Sequence, residues 1–382
     1  MRILVVGCGK IGSVAIKDIS ESMRNTDVVV ADKDEVKARE VSENIGGENV
    51  SWIKLDVSNQ KELVSFMKNF DIVLGFLPGN LGYKLMKACI QAGANLVDVS
   101  FTPENPLNLN EEALKSNVTI VPDFGLAPGI SNFLVGNAVK KLDKVNNVYI
   151  MVGGLPEKPV PPLGYTITWS PESLIDEYTR KARIVRKGKM TEVEVLSGLE
   201  LIDFPEVGKL EAFYTDGLRT LLYTIRNVKE MWEKTLRYPG HAEKVKLLKD
   251  LGFFSEKPVR IDDLNVVPRK LTAKLFEQKL SKPKVKDVVV LIVEVSGFQN
   301  GEQIRYVYRL LDHYDEKREI TAMARTTAYP ASITAQLILR NIVKEVGVIP
   351  PEKLGMNDEF SNSFLKELEK RGIKIKVETT LR

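Results

Sequence analysis

Hydrophobic positions in the first 150 or so residues form short β-rich runs that alternate with amphipathic segments. The segments between the runs, such as Ile11–Ile19 and Glu35–Ile45, repeat their apolar residues at helical spacing. Strands and helices that alternate in this way predict an α/β fold with a doubly wound parallel sheet. The strands predicted from the apolar runs are 2–6, 27–31, 50–55, 71–76, 94–98 and 118–121.

The pattern changes after Asn147. The segments Lys187-Gly188-Lys189 and Asn300-Gly301 each lie between β-rich runs, as tight hairpin turns do. This part of the chain therefore predicts a second, α/β domain whose sheet is largely antiparallel.

The C-terminal part returns to a helical pattern. We predict a helix that begins at Pro330 and runs to Gly347, then a helical segment, Phe360–Arg371, and a final strand, Ile373–Val377. We assign these elements to the first domain, which makes the second domain an insertion. The predicted boundaries are 1–146 with 326–382 for the dinucleotide-binding domain and 147–325 for the inserted substrate-binding and dimerisation domain.

Composition excludes several classes of protein. The 382 residues are 43% apolar, and the longest apolar run, Val288–Val293, is too short to span a bilayer. Two cysteines, Cys8 and Cys89, cannot form a disulfide framework or a cysteine zinc site. The net charge of +4 is spread along the chain without a basic block, which argues against nucleic acid. With no export signal visible, we expect a cytoplasmic protein without metal, membrane or nucleic-acid partners. The chain has many Lys and Glu residues and only two His residues, a composition that is typical of thermophile proteins.

A glycine-rich turn follows the first predicted strand. Gly7-Cys8-Gly9-Lys10-Ile11-Gly12 has the spacing G-x-G-x-x-G and opens the first predicted helix. One glycine allows the tight turn, the next allows a pyrophosphate to approach the backbone, and the third allows helix and strand to pack closely. We therefore predict a Rossmann-type dinucleotide site in which all six residues contact the cofactor.

Two acidic positions follow the next strands. Asp32 lies twenty positions after Gly12, where a carboxylate accepts hydrogen bonds from ribose hydroxyls and repels a 2′-phosphate, which favours NAD. The adjacent Lys33 could tolerate the phosphate of NADP, and the same residues could form only a solvated turn with a helix N-cap. Asp56 and Val57 are placed to reach the adenine, although Asp56 could instead cap the following helix.

Three later strand ends should complete the crevice where ligands bind in open α/β sheets. They could also be ordinary loops or turns. The residues that we assign to the cofactor in these loops are Leu77, Pro78, Asp98, Ser100, Gly125, Leu126 and Pro128. Asp123 lies at the mouth of the last loop, beside the expected nicotinamide, and is our first candidate to orient a reacting amine.

Several longer strings are more specific than the glycine motif. Together they resemble the saccharopine dehydrogenase (glutamate-forming) superfamily, and within it the chain is most similar to L-lysine 6-dehydrogenases. The strings are the glycine motif, Val97-Asp98-Val99-Ser100, Asp123-Phe124-Gly125-Leu126-Ala127-Pro128-Gly129, Thr215-Asp216-Gly217-Leu218-Arg219-Thr220, Tyr238-Pro239-Gly240-His241 and Thr326-Thr327-Ala328-Tyr329-Pro330-Ala331. The resemblance implies a Rossmann domain, a substrate domain that also forms a homodimer, and NAD-dependent oxidative deamination of the lysine ε-amine. Saccharopine reductases have an aromatic hydroxyl after the fifth strand, where this chain has Phe101.

The same strings contain side chains suited to an amino-acid substrate. A guanidinium binds a carboxylate through two parallel hydrogen bonds, so Arg219 and Arg237 are candidates, and either could instead form a structural salt bridge. We assign Phe124 and Tyr238 to substrate contacts. His241 is a candidate for proton transfer, with a capping role as the alternative.

The resulting hypothesis is an enzyme that oxidises the ε-amine of L-lysine with NAD and releases ammonia. A base must remove a proton from the ammonium group before the hydride leaves the neighbouring carbon, and Asp123 and His241 are the candidates. The alternatives are a saccharopine reductase, a carboxynorspermidine dehydrogenase, or a non-catalytic NAD-binding sensor.

Overall fold

The computed structural model describes residues 1–282 and 285–381. The chain divides into two compact units. The first contains residues 1–141 and 324–374, and the second contains residues 142–323 and those from Ile375 onward.

The elements are numbered in chain order. The strands are β1 Arg2–Val6, β2 Asp27–Asp32, β3 Val50–Lys54, β4 Ile72–Gly75, β5 Asn95–Asp98, β6 Thr119–Val121, β7 Lys144–Pro156, β8 Ala182–Arg186, β9 Lys189–Val193, β10 Glu200–Phe204, β11 Gly208–Tyr214, β12 Glu230–Arg237, β13 Val259–Ile261, β14 Leu264–Val266, β15 Asp287–Gln299, β16 Glu302–His313, β17 Gly347–Val348 and β18 Ile375–Leu381. The helices are α1 Gly12–Ser22, α2 Glu35–Ile45, α3 Gln60–Met67, α4 Gly79–Ala92, α5 Asn110–Lys115, α6 Ile130–Val139, α7 Pro171–Thr179, α8 Leu221–Thr224, α9 His241–Asp250, α10 Pro268–Leu280, α11 Ala322–Leu339, α12 Pro351–Met356 and α13 Asp358–Lys370. A short 3-10 helix spans Pro106–Leu109.

The first unit is built on a parallel sheet with the strand order β17-β6-β5-β4-β1-β2-β3. The order reverses between β1 and β4, and this reversal opens the crevice at the carboxyl ends of these strands. The central strands are apolar on both faces, with Ile3, Leu4 and Val5 fully buried, because helices cover a parallel sheet on both sides. The prediction of an α/β fold with a Rossmann-type sheet is confirmed, and all six predicted strands are present.

The second unit contains a mixed sheet with the path β10-β11-β12-β7-β15-β16-β18, from which β8 and β9 branch at β12. The pair β7 and β12 is parallel, and the other pairs along the path are antiparallel. Both predicted hairpins are confirmed. Positive φ values at Lys187 and Gly188, and at Asn300 and Gly301, fit the two-residue turns that match the twist of the strands.

The C-terminal predictions need two corrections. Helix α11 begins at Ala322 and contains Pro330 in its interior, so the predicted start at Pro330 is wrong. The start is fixed by Asp287, whose carboxylate accepts hydrogen bonds from the Ala322 and Met323 amides at 2.7 and 2.9 Å. That residue is remote in sequence, so local spacing gave no sign of it. The prediction of a helix that continues to Gly347 is also wrong, because α11 ends at Leu339.

The second correction concerns the last strand. We assigned residues 326–382 as a whole to the first domain, but β18 pairs with β16 in the sheet of the second unit. The edge of that sheet has unpaired backbone groups, and a C-terminal strand satisfies them. Within the described residues, no helix is long and apolar enough to cross a membrane.

Candidate functional site

The three glycines of the first turn have different surroundings. Gly7 has a φ of +93°, and a Cβ atom on it would lie 2.4 Å from the carbonyl oxygen of Phe76. A Cβ atom on Gly12 would lie 2.0 Å from the carbonyl oxygen of Gly7, which is the close approach of helix and strand. At Gly9 the nearest atom to a Cβ would be the Lys37 Nζ, 3.8 Å away. The backbone at Gly9 is therefore open to a ligand, as a pyrophosphate site requires.

The residues between these glycines are placed differently from one another. Lys10 is exposed, and Ile11 lies at the N-cap position of α1. Cys8 is buried, and burial together with the neighbouring Asp32 carboxylate raises the pKa of its thiol to about 12. Helix α1 begins directly after this turn, and the positive end of its dipole favours an anion there.

Asp32 ends β2 beside the glycine turn. Its Oδ2 accepts hydrogen bonds from the Cys8 amide at 3.0 Å and from the Cys8 thiol at 3.4 Å, and its Oδ1 accepts one from the Asp34 amide at 3.1 Å. Partial burial alone would raise the pKa of Asp32, but these amide groups and the Lys37 charge lower it overall. Asp32 is therefore an ionised acceptor where a ribose hydroxyl would meet it, and this turn fits a dinucleotide.

Of the other predicted cofactor residues near Asp32, two are exposed and one is buried. Lys33 is exposed beside Asp32. The exposed Asp56 accepts a hydrogen bond from the Ser58 amide at 2.9 Å, which lowers its pKa. The alternative that Asp56 caps the following helix is wrong, because the N-cap residue of α3 is Asn59. Val57 is buried in the hydrophobic core of the first unit, so its side chain is not available to a ligand.

The predicted cofactor residues in the loops after β4 and β5 also differ in their exposure. Pro78 is exposed at the start of α4, and Leu77 is partly buried against the core. Asp98 is fully buried and accepts two hydrogen bonds at 2.9 Å from Ser100, one from its amide and one from its hydroxyl. Because both side chains are buried in this loop, we correct their assignment: the loop backbone, rather than these two side chains, is what a cofactor could contact.

The loop after β6 folds back on itself. The Gly125 amide donates to the Pro128 carbonyl at 3.2 Å, and a Cβ on Gly129 would lie 1.9 Å from the Gly125 carbonyl oxygen. Leu126 is buried beside them. Glycine is therefore required at position 129 by this packing, and the contact of the loop with a cofactor remains a prediction.

Asp123 and Phe124 precede this loop. Their surroundings support different roles for the two side chains. Asp123 is fully buried and has a φ of +56°, an unusual backbone conformation for a residue with a side chain. Phe124 is also fully buried, and its ring stacks on that of Phe364 at 5.2 Å. Our assignment of Phe124 to the substrate is therefore wrong, because its ring belongs to the aromatic core between α6 and α13.

In the second unit, Arg219 lies in a group of arginines. It is 3% exposed and has a φ of +53°. Arg180 is partly buried, and burial together with the positive charges of Arg219 and Arg183 lowers its pKa. Arg183 makes a two-pronged salt bridge to Asp216, with N–O distances of 2.8 and 3.0 Å. The charges of Arg219 and Arg183 thus both act on the Arg180 guanidinium, and the carboxylates of Asp176 and Asp216 act on it in the opposite direction.

Arg237 lies in a separate buried cluster on β12. One of its nitrogens donates to Glu177 at 2.8 Å and another to the Leu236 carbonyl at 2.9 Å. Its guanidinium lies 4.6 Å from the centre of the Tyr165 ring. The Arg237 Nε is buried and has no hydrogen-bond partner among the described residues. A buried donor without a partner has a free-energy cost, and a bound acceptor would remove it.

His241 and Tyr238 are occupied by contacts within the second unit. The His241 Nε2 lies 2.8 Å from the Tyr178 hydroxyl, and its Nδ1 lies 3.0 Å from the Leu163 carbonyl oxygen. Burial and the Arg237 charge lower the pKa of His241 to about 3. The Tyr238 hydroxyl donates to the carbonyls of Pro156 and Glu157. We therefore correct both assignments: His241 is a poor base, and Tyr238 fixes a loop.

Helix α7 was missed in the sequence although it contributes to both clusters. Glu177 and Tyr178 lie on it, and Arg180 is its C-cap residue. A start signal was present, because the Ser170 hydroxyl accepts from the Ser173 amide and Pro171 occupies the first turn. Glu233, which is buried on β12, had no such signal.

Comparison with known families gives two matches that cover most of the chain. Residues 3–121 match the family described as "Saccharopine dehydrogenase NADP binding domain", and residues 125–373 match "Saccharopine dehydrogenase C-terminal domain".

Several proteins of known function are similar over nearly the whole chain. Saccharopine dehydrogenase (NADP+, L-glutamate-forming) of Saccharomyces cerevisiae is 24% identical over 456 residues, covering 99% of both chains. Carboxyaminopropylagmatine dehydrogenase of Synechocystis sp. is 21% identical over 393 residues, covering 97% of this chain and 96% of that protein. Alpha-aminoadipic semialdehyde synthase of Arabidopsis thaliana is 24% identical over 444 residues, but this chain spans only 41% of its length.

Among solved structures, the fold is similar to that of apo saccharopine dehydrogenase (L-Glu forming) from Saccharomyces cerevisiae. The TM-score is 0.79 at 22% sequence identity, and 99% of both chains is covered. This similarity establishes the fold of the chain.

Proposed function

From the premise that the chain belongs to the saccharopine dehydrogenase family and is an oxidoreductase with a nicotinamide nucleotide cofactor, we propose that it oxidises the ε-amine of L-lysine. NAD would accept the hydride, and hydrolysis of the resulting iminium would release ammonia. The product, the 6-semialdehyde, would cyclise to piperideine-6-carboxylate.

The observation that supports an amino-acid substrate is the arginine group of the second unit. The positive charges of Arg219 and Arg183 both oppose the charge of the partly buried Arg180, and burial strengthens that repulsion because the surroundings are less polar than water. A substrate carboxylate would relieve the repulsion and would accept paired hydrogen bonds from a guanidinium. We assign the α-carboxylate to Arg219 and regard Arg237 as a second contact.

The chemistry also requires a proton acceptor. The ε-ammonium group is charged at neutral pH, and its nitrogen must become neutral before its lone pair can assist departure of the hydride. His241 lacks a free ring nitrogen, so the remaining candidate is Asp123. We propose that Asp123 orients the amine and accepts this proton.

We also propose that NAD is preferred over NADP. An ionised Asp32 would accept hydrogen bonds from the ribose hydroxyls and would repel a 2′-phosphate. The matched domain family and the yeast relative have NADP in their descriptions, and Lys33 and Lys37 lie near Asp32. The relative affinities for NAD and NADP must therefore be measured for this chain.

A second candidate is the oxidation of a secondary amine or, in reverse, the reduction of an imine formed from two substrates. The alignment with the Synechocystis protein extends over 393 residues, close to the 382 of this chain, whereas the yeast alignment extends over 456. The yeast enzyme therefore contains segments that this chain lacks. Saccharopine reduction and carboxynorspermidine dehydrogenation belong to this same candidate class.

The test is a cofactor-reduction assay on the purified protein. L-Lysine, L-ornithine, saccharopine and carboxyalkyl polyamines are each supplied with NAD and with NADP, and ammonia is measured in parallel. We expect reduction of NAD with L-lysine, with one ammonia per hydride and no requirement for 2-oxoglutarate. Turnover of a secondary amine alone would support the second candidate, and cofactor binding without any turnover would support a sensor protein.

The expected homodimer is part of the same proposal. Sedimentation of the purified protein would measure it, and a monomer that turns over L-lysine would separate the activity from dimerisation.

A further inference from the structure

A lysine ammonium group lies at the open side of the glycine turn in the first unit. The Lys37 Nζ is 4.0 Å from Asp32 Oδ2, and a Cβ atom on Gly9 would lie 3.8 Å from it. The backbone at Gly9 is open to a diphosphate, and the Asp32 carboxylate is placed for a ribose. The ammonium group therefore lies beside two protein groups that would bind successive parts of one dinucleotide.

The start of α2 places Lys37 in this position. The Asp34 carboxylate caps the helix by accepting a hydrogen bond from the Lys37 amide at 3.2 Å. Lys37 thus lies in the first turn, where the helix dipole disfavours a cation, so helix stability does not account for a lysine here. Its side chain is 45% exposed, which leaves the ammonium group room to move.

The Asp32 carboxylate has little acceptor capacity left. An ionised carboxylate offers about four acceptor positions. Within the described residues, Asp32 accepts three hydrogen bonds, from the Cys8 amide, the Cys8 thiol and the Asp34 amide. At 4.0 Å the Lys37 ammonium forms an ion pair with Asp32 but is too far away for a hydrogen bond. Ribose hydroxyls would therefore compete with this ammonium group for the carboxylate.

Other lysines of the first unit are placed differently. Lys33 is exposed, and the Lys54 Nζ lies 3.7 Å from the Glu35 carboxylate. Within the part of the chain that the structure describes, Lys37 is the residue whose cation lies within 4.0 Å of both Asp32 and the Cβ position of Gly9. It is therefore the side chain best placed to meet an anion that approaches the glycine turn.

We propose that Lys37 binds the diphosphate of the nicotinamide nucleotide, and that its ammonium group leaves Asp32 for the diphosphate when the nucleotide binds. The glycine turn and the dipole of α1 favour the same anion through backbone groups, and Lys37 adds a charge-assisted contact. Departure of the ammonium group leaves the Asp32 carboxylate to the ribose hydroxyls. The inference concerns the cofactor alone and makes no assumption about the amine substrate.

The alternative partner for Lys37 is the 2′-phosphate of NADP. The Asp32 charge repels a phosphate at that position, whereas the open backbone at Gly9 is suited to the diphosphate. Both NAD and NADP contain the diphosphate, so Lys37 strengthens the binding of both and does not select between them. The two alternatives predict different losses when Lys37 is replaced.

The first experiment is a set of binding titrations on the full-length protein with NAD, NADP, ADP and adenosine. Lys37→Met removes the charge and keeps a long, unbranched side chain. We expect the Kd values for NAD, NADP and ADP to rise by the same factor, roughly fivefold or more. The Kd for adenosine should stay the same or fall, because adenosine has no phosphate and loses a competitor for Asp32. Lys37→Arg should keep most of the affinity for NAD.

Lys17→Met is the matched control, because Lys17 is exposed on α1 and its replacement removes the same charge from the same unit. All four Kd values should remain as in the wild-type protein. A loss confined to NADP would assign Lys37 to the 2′-phosphate, and an equal loss for adenosine would give it a structural role. Either result would overturn the proposal.

The second experiment tests the exchange of partners. In Asp32→Asn the ammonium group has no carboxylate to leave, so Lys37→Met should weaken ADP binding by a larger factor in that background than in the wild-type protein. NAD affinity should also fall more steeply with added salt in the wild-type protein than in Lys37→Met. Equal factors in the two backgrounds, or equal salt dependence, would overturn the exchange.

These measurements separate the role of Lys37 from the proposed reaction. A protein that binds NAD through Lys37 but does not oxidise L-lysine would contradict the proposed function and leave this inference standing. A protein that oxidises L-lysine and binds NAD equally well after Lys37→Met would do the reverse.

Discussion

The Tyr178 hydroxyl donates a hydrogen bond to the Nε2 atom of His241, with an O–N distance of 2.8 Å. The direction follows from the other ring nitrogen, because the Leu163 carbonyl 3.0 Å from Nδ1 can only accept. His241 therefore carries its hydrogen on Nδ1 and is neutral in the folded protein. The contact that makes it a poor base also makes it sensitive to acid.

We predict that His241 contributes to acid unfolding. Its folded pKa of about 3 lies below the ordinary value of 6.5, so the unfolded chain binds the proton more tightly. The contribution of His241 to stability is fully present above pH 6.5 and is lost as pH falls towards 3. Urea unfolding of His241→Gln should therefore show a smaller loss of stability over this interval, by roughly 1.4 kcal/mol per pH unit at most.

His313 is the matched control, since it is the other of the two histidines and is exposed on β16. His313→Gln should follow the wild-type pH dependence. If His241→Gln and the wild-type protein lose stability in parallel below pH 6.5, then His241 is not held neutral by its surroundings.

The glycine turn gives a prediction that separates folding from binding. Gly9→Ala adds a methyl group where the nearest protein atom is 3.8 Å away, so we expect almost unchanged stability and greatly weakened binding of the dinucleotide. Gly12→Ala places a methyl group 2.0 Å from the Gly7 carbonyl oxygen, so we expect a loss of stability. Thermal unfolding and calorimetric titration with NAD measure the two effects, and equal NAD affinity in Gly9→Ala and wild type would contradict the assignment.

These glycines also indicate how much of the fold the sequence could predict. The first unit was predictable because alternating strands and helices are local patterns and because the turn at Gly7 and Gly12 has fixed steric requirements. The sheet that β18 joins was not predictable from such local patterns. Its pairing with β16 depends on an available sheet edge, and the strand pattern alone does not specify which of two sheets it joins.

In the candidate site, too, contacts between residues far apart in the sequence could not be predicted from local patterns. Phe124 lies in a motif with functional neighbours, yet Phe360 and Phe364 of α13, more than 200 positions later in the chain, bury its ring. His241 was assigned from the usual chemistry of histidine, and its two buried partners reverse that interpretation. Arg219 and Arg237 could be named from their strings, but the neighbouring Arg180 and Glu177 become visible only once α7 is folded.

Replacement of Asp32 should change the choice of cofactor. Asp32→Ala removes one or two hydrogen bonds to the ribose, each contributing about 0.5–1.5 kcal/mol, so NAD binding should weaken. NADP binding should weaken less or should improve, because the carboxylate no longer repels the 2′-phosphate while Lys33 and Lys37 remain. Dissociation constants for both cofactors measure this change.

Glu43→Gln removes a negative charge from the exposed end of α2 and should alter neither constant. If the wild-type protein binds NADP as tightly as NAD, the proposed preference is wrong whatever the variant does.

Glu233 should make the folded protein less stable as pH rises. Its folded pKa of about 8 lies above the ordinary value of 4.5, so the folded state binds the proton more tightly. This contribution is fully present below pH 4.5 and is lost between pH 4.5 and 8. Over that interval Glu233→Gln should gain stability relative to the wild-type protein, on the order of 1 kcal/mol per pH unit. Urea unfolding at several pH values measures the difference, and a constant difference would mean that Glu233 titrates normally.

Arg219 combines burial, a positive φ and neighbouring positive charges. A left-handed backbone costs free energy for a residue with a side chain, and it persists where the surrounding structure requires it. The contacts that hold the Asp216-Gly217 turn before it include the salt bridge from Arg183 and the packing of Gly217 against Glu233. The direction of the Arg219 side chain is thus set by the fold of the second unit.

We predict that Arg219→Ala lowers kcat/KM for L-lysine by about ten- to more than a hundredfold, because a charge-assisted contact to a carboxylate contributes roughly 1.5–3 kcal/mol. Arg219→Lys should remain impaired, since an ammonium group lacks the planar pair of donors. NAD affinity, measured by calorimetry, should not change in either variant. Arg226→Ala, an exposed position in the same unit, should behave as wild type. If Arg219→Ala keeps its efficiency, or loses NAD affinity instead, Arg237 becomes the leading candidate for the carboxylate contact.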